Sequence, residues 1–213
     1  MRRAAPPTVA GDGRRTRVGL LGGSFNPAHD GHRHISEMAL RHLALDEVWW
    51  LVAPQNPLKP AAGMAPLAER LATARAVVRH PAVCVTALEQ ALGTRYTVAT
   101  VRALRRRFPR AAFVWLMGAD NLIQVPRWRD WGGLFHSIPI AVLARPSYSL
   151  RAATGKAAQR FARHRLRSSE ATTLADAAPP AWVFLRIPLH RESGTRLRAL
   201  GRHHHDVRTA YGE

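Results

Sequence analysis

Short apolar runs alternate along this chain with stretches in which apolar residues recur every three to four positions. The first run, residues 18–21, stops at Gly22-Gly23 and predicts a strand followed by a turn. Ile35, Met38, Ala39 and Leu43 then fall at helical spacing and predict a helix over 34–43. A second strand is expected at 48–53, closed by the loop PQNPLKP, then a helix over 67–78 and a short strand at 83–86. A helix over 97–108 stops before Pro109, and strongly apolar runs at 112–117 and 140–144 predict two more strands. Residues 151–178 are rich in Ala and Arg, carry no strand pattern, and read as helix and mobile linker. A strand at 183–186 and a helix over 195–200 close the pattern. Strands alternating with helices predict an α/β domain with a doubly wound parallel sheet and flanking helices, whose ligands sit at the carboxyl ends of the strands.

A length of 213 residues suits one such domain, expected over 17–201, and no internal repeat is visible. Cys84 is the single cysteine, so an internal disulfide framework and a Cys-rich zinc site are both excluded, and a reducing compartment fits. No apolar run reaches bilayer length. Residues 1–16 are rich in Pro, Gly and Arg without an apolar segment, which excludes a secretory signal and predicts a disordered basic tail. Residues 202–213 read as a polar tail, and His203–His205 receives no role.

The formal net charge of +18 suits polyanionic partners, either nucleic acid or small phosphorylated substrates. Nearly all of it is arginine, since Lys59 and Lys156 are the only lysines. Much of the excess lies in the N-terminal tail, in 105–107 and in 151–167, where solvated helix faces account for it.

The chemistry concentrates in Gly22-Gly23-Ser24-Phe25-Asn26-Pro27-Ala28-His29-Asp30-Gly31-His32. Two glycines after a strand let the backbone approach a ligand, and the next helix points its N–H groups and positive dipole end at the same place. Two imidazoles three residues apart at that helix's mouth can donate hydrogen bonds to phosphate oxygens and stabilise charge developing in a transfer step. The string lacks the Gly-Lys-Ser/Thr of a Walker loop and is not G-x-G-x-x-G. No Cys or Glu nearby completes a zinc ligand set around His29 and His32.

This string resembles the signature of the H-x-G-H nucleotidyltransferase superfamily, and in detail that of the bacterial nicotinate-nucleotide adenylyltransferases. Further segments match in the family's order: Pro54-Gln55-Asn56-Pro57-Leu58-Lys59, Tyr96-Thr97, Met117-Gly118-Ala119-Asp120, Pro126-Arg127-Trp128, Arg145-Pro146-Ser147-Tyr148 and Ser193-Gly194-Thr195-Arg196-Leu197-Arg198. In the last segment Gly194 stands where the superfamily motif has a second serine, so one hydroxyl contact is lost. The resemblance implies His29, His32 and Arg198 as catalytic residues. It implies ATP and phosphate contacts from Gly22, Gly23, Ser24, Phe25, Gly118, Asp120, Ser193 and Thr195. For nicotinate mononucleotide it implies Asn56, Lys59, Thr97, Trp128 and Arg145, with Trp128 stacked on the pyridinium ring.

Trp128 also has a physical case, because a tryptophan face is the best side-chain platform for a cationic ring. The alternative for it is a core tryptophan, the expected fate of Trp49, Trp50 and Trp115. Thr97 either meets the pyridine substituent or caps its helix. Lys59 is either a phosphate contact or a solvated loop charge.

The implied reaction joins ATP and nicotinate mononucleotide into nicotinate adenine dinucleotide and pyrophosphate, a step of NAD biosynthesis in the cytoplasm. Its expected cofactor is Mg²⁺, carried mainly by the ATP phosphates, with no metal ligand expected from the chain. Two readings compete. A sister adenylyltransferase would take nicotinamide mononucleotide or phosphopantetheine as acceptor. A basic nucleic-acid-binding module on this fold would bind with steep salt dependence, but no RRM, KH or zinc-finger pattern supports it.

Overall fold

The computed structural model describes residues 4–55, 63–145 and 148–188. Its strands are β1 (Arg17–Gly23), β2 (Glu47–Val52), β3 (Val83–Thr86), β4 (Ala112–Gly118), β5 (Ile140–Leu143), β6 (Arg165–Leu166) and β7 (Trp182–Leu185). They form one 7-stranded sheet in the order β3-β2-β1-β4-β5-β7-β6, with every pairing parallel. The chain runs outward from β1 through β2 to β3, then returns to set β4 against the other side of β1. Connections therefore diverge on either side of β1, leaving a crevice beyond the carboxyl ends of β1 and β4.

Side chains alternate across each strand and feed two cores, which is why the strands read as apolar runs rather than alternating ones. Val18, Leu20, Trp49, Trp115 and Met117 pack on one face against α4 (Thr97–Arg107) and α6 (Trp131–Ser137). Leu21, Trp50, Val114 and Leu116 pack on the other against α1 (Asp30–His42) and α2 (Leu67–Val77). Trp49, Trp50 and Trp115 are thus core residues, as the sequence led one to expect. Short helices α3 (Leu88–Ala91) and α5 (Ala119–Gln124) follow β3 and β4 directly.

Three sequence expectations are corrected. Helix α1 starts at Asp30 rather than residue 34, because His29 caps it and Gly31 is its second residue, not a breaker. Residues 4–16 are no free tail. Ala4 N–H donates to Pro81 O, Arg107 Nε donates to Val9 O, and the Arg14 guanidinium lies over the Trp49 and Phe108 rings while pairing with Asp12 and Glu47.

Residues 151–178 are not a mobile linker. The segment packs as the end of α7 (Ser149–Ala153), α8 (Lys156–Arg160), 3₁₀ turns at Ala162–His164 and Ser168–Asp176, and edge strand β6. Phe161, Ala171 and Leu174 anchor it in the two cores. Strand β6 pairs with β7 only through Arg165 and Leu166, too short a stretch to leave a pattern. The expected helix over 195–200, the tail at 202–213 and His203–His205 lie outside the described residues. Among the described residues no helix is long and apolar enough to cross a membrane.

Candidate active site

The first turn of α1 is built by the two histidines themselves. His29 is the N-cap, and its Nδ1 accepts from Gly31 N–H at 3.1 Å. Nδ1 of His32 accepts from His29 N–H at 3.3 Å. This is the reciprocal pattern of a capping box, with imidazoles in place of the usual hydroxyl and carboxylate. A neutral imidazole whose Nδ1 accepts carries its proton on Nε2, so both rings are set as Nε2–H donors at a helix N-terminus. His29 is only 4% exposed, and the ring centroids are 3.9 Å apart.

The core behind this turn fixes the His32 ring. Phe25 is buried beneath it, with ring centroids 4.6 Å from His32 and 5.0 Å from Trp50, stacked on the latter. Phe25 has φ 46°, a conformation a bulky residue adopts only when packing compels it. Trp50 Nε1 donates to Ser36 Oγ at 2.7 Å, and Ser36 Oγ donates in turn to His32 O at 2.9 Å. Phe25, an ATP contact by the resemblance, packs its ring on His32 and Trp50.

Gly22 and Gly23 end β1, and a Cβ on Gly22 would run into the Trp115 ring. That glycine lets the Trp115 indole lie across the strand end. The far side of Trp115 meets Trp128 edge to face, with centroids 6.4 Å apart and planes at 90°. Trp128 is half-buried at the end of the 3₁₀ turn Val125–Arg127. It is therefore linked to the β1 terminus through one intervening indole. Trp131 is also half-buried, under the Arg160 guanidinium. Thr97 is the first residue of α4; Tyr96 is the N-cap and no side chain caps that helix, so the capping role for Thr97 falls away.

Gly118, Asp120 and Arg145 meet at the carboxyl ends of β4 and β5. Arg145 Nε lies 3.4 Å from Asp120 Oδ1, and a Cβ on Gly118 would strike both groups. Among the described residues neither of those atoms has a hydrogen-bond partner, and both are buried. Asn56, Lys59, Ser193, Gly194, Thr195 and Arg198 lie outside the described residues. The chain leaves the described region beside the site: Pro188 O is 2.6 Å from the His34 Nε2 on α1. Among the described residues no cluster of three or more His, Cys, Asp or Glu stands where a metal could be held.

Two functional-looking residues escaped sequence reasoning. Arg70 is 1% exposed, and its guanidinium donates to Ser24 O and Ala53 O at 2.7 Å, to Pro54 O at 2.8 Å and to Ala65 O at 2.9 Å. Burial pushes its pKa down. A signal existed, because Arg70 stands with Leu67, Ala74 and Val77 on one helical stripe, where a cation is out of place. Glu89 is also buried, and burial pushes its pKa up to about 7 although Thr100 Oγ1 donates to it at 3.2 Å. Nothing in the spacing around Glu89 marks it.

The sheet order, the crevice and the capped histidines define a nucleotidyltransferase, and the chain belongs to the cytidylyltransferase-like family, whose model matches residues 20–199. Within it the chain groups with the nicotinate-nucleotide adenylyltransferases. It is 54% identical over 185 residues to the probable nicotinate-nucleotide adenylyltransferase of Cereibacter sphaeroides, covering 87% of this chain and 97% of that one. It is 54% identical over 189 residues to that of Gluconacetobacter diazotrophicus, covering 89% and 88%. The Plasmodium falciparum nicotinic acid mononucleotide adenylyltransferase, solved in complex with NaAD, shares the fold at TM-score 0.65 and 13% identity, over 86% of this chain and 83% of that one.

Proposed function

We propose that the chain transfers the adenylyl group of ATP to nicotinate mononucleotide, forming nicotinate adenine dinucleotide and releasing pyrophosphate. The observation that carries this reading is the reciprocal pair His29 and His32 at the N-terminus of α1, beside the glycine end of β1. An oxygen of the mononucleotide 5′-phosphate attacks the α-phosphorus of ATP, and the bond from that phosphorus to the β-phosphate oxygen breaks. The nucleophile is already an anion, so no general base is needed, and rate comes from alignment and charge stabilisation.

Nε2–H of His29 and His32 holds the α- and neighbouring phosphates, with Gly22, Gly23 and Ser24 lining their approach. Ser193, Thr195 and Arg198 hold the departing pyrophosphate. Support for that assignment comes from Pro188 beside His34, since the residues between 188 and 193 span at most about 17 Å fully extended. Trp128 supplies the pyridinium platform, with Thr97, Asn56, Lys59 and Arg145 as its neighbours on the mononucleotide. Asp120 serves the ATP side, and its pairing with Arg145 joins the two halves of the site.

Asp120, the carboxylate described at the crevice, is already paired with arginine. Such a donor set suits a Mg²⁺ ion held on phosphates and water rather than in a protein cage. When bound, that ion offsets negative charge on the triphosphate. A cytoplasmic setting fits the single thiol, Cys84, which is free and buried.

The test is pyrophosphate release by the purified chain with ATP and a panel of nicotinate mononucleotide, nicotinamide mononucleotide and phosphopantetheine. Nicotinate mononucleotide should give the highest kcat/KM. A higher value for the amide or for phosphopantetheine would replace this reading with a sister activity.

A further inference from the structure

Arg70 gathers three segments just beyond the point where the β1–β2 ladder ends, its last bond being Ala53 N–H to Gly23 O at 2.9 Å. Its Nη1 donates to Ser24 O, in the loop leaving β1, and to Ala53 O, in the chain leaving β2. Its Nη2 donates to Pro54 O, one residue further along that chain, and its Nε donates to Ala65 O at the approach to α2. Asn26 reinforces the same junction: its Nδ2 donates to Gly63 O at 2.9 Å, and its Oδ1 accepts from Ala65 N–H at 3.3 Å. Among the described residues Arg70 forms no ion pair, so a cation has been buried solely to collect carbonyls. A charge costs free energy to bury, and a neutral side chain would do for packing alone. Only a guanidinium offers enough donors, fixed in one plane, to serve four carbonyls at once.

Those carbonyls lie directly behind the chemistry. Ser24 precedes Phe25, whose strained backbone carries the ring under His32, so a shift of Ser24 moves the phosphate-facing turn. Ala53 and Pro54 open the loop to which the mononucleotide contacts are assigned. We infer that Arg70 is a positioning residue that sets the spacing between Ser24, on the ATP side after β1, and Ala53-Pro54, where the chain leaves β2. This rests on the two-substrate reading given above. In-line transfer needs attacking oxygen and phosphorus brought within near-attack distance, and a misplacement of about 1 Å costs as much as a hundredfold in rate. Arg70 therefore acts on kcat, while each loop keeps its own substrate contacts.

The experiment compares Arg70→Lys with the unaltered protein at saturating concentrations of both substrates, each with its melting curve. Lysine keeps the charge but has three donors and no planar fork. The expected result is a folded variant whose kcat falls by about tenfold or more, with both KM values within about twofold. A folded variant with unchanged kcat, or one in which a single substrate's KM rises alone, overturns the inference.

Should Arg70→Lys melt below the assay temperature, both proteins are compared at a temperature below the variant's midpoint, with the same expected and overturning results. Turnover is read as a ratio to the unaltered protein on whichever acceptor that protein uses. Failure of nicotinate mononucleotide as acceptor thus shows in the unaltered protein alone.

Discussion

His32 is joined to His29 through the backbone: its Nδ1 accepts the His29 N–H at 3.3 Å while the two rings sit 3.9 Å apart between centroids. The spacing of three follows from helix geometry. An N-cap residue and the third residue of the helix are the two positions whose side chains can exchange bonds with each other's backbone. The same bonds that start α1 orient both imidazoles, so helix formation and site assembly are one event.

That double duty separates two substitutions. Asparagine at position 32 retains an acceptor near the place of Nδ1 but has nothing at Nε2. His32→Asn is expected to melt close to the unaltered protein while turnover falls roughly a hundredfold or more. His32→Ala should lose the same rate and, in addition, about 1 kcal/mol of stability from the cap. Calorimetry with steady-state kinetics reads both; an Asn variant with near-normal turnover would remove His32 from the phosphate contacts.

Trp128 is half-buried against Trp115, so its truncation touches packing as well as substrate. Trp128→Ala is expected to raise the KM for nicotinate mononucleotide far more than that for ATP, by an amount equivalent to roughly 2 kcal/mol. Trp128→Phe should keep part of the affinity, since a flat π face survives. Kinetics on both substrates beside a melting curve decide the matter. A destabilised Ala variant with unchanged mononucleotide KM would make Trp128 a core residue.

Glu89 predicts a pH dependence of stability. Its pKa rises from the ordinary 4.5 to about 7 on folding, so the unfolded chain ionises first as pH increases. Stability is then lost between about pH 4.5 and pH 7, by up to about 3 kcal/mol, and is regained on acidification. Glu89→Gln keeps an oxygen to accept from Thr100 and removes the titration. The variant should therefore gain stability over the unaltered protein at pH 8 and show little difference at pH 4.5. Urea midpoints across that range measure it, and a parallel pair of curves would contradict the assignment.

Gly118 faces the Asp120–Arg145 pair with no room for a methyl group. Gly118→Ala should push the pair apart and lower kcat/KM for both substrates by about tenfold or more if, as proposed, Asp120 serves ATP and Arg145 the mononucleotide. The fold should survive, because the displaced groups are side chains at the crevice. Equal kcat/KM in a folded Ala variant would show that the pair's geometry does not matter to transfer.

Local pattern alone marks strands β1, β2, β3, β4, β5 and β7, since runs such as residues 113–117 are apolar throughout and buried on both faces. It also marks the H-x-G-H string as a turn between strand and helix, although the helix begins at Asp30 inside that string rather than at residue 34. The rest is held by contacts distant in sequence. Arg165 and Leu166 become a strand only because β7 offers an edge, and the Pro- and Arg-rich stretch at 4–16 finds its course on Trp49, Phe108 and Arg107. Arg70 interrupts an apolar stripe of α2, but its acceptors Ser24, Ala53, Pro54 and Ala65 come from segments that meet only in the fold. Periodicity records which face of an element is dry; it carries no record of which carbonyls, drawn from separate loops, will need a donor once those loops meet.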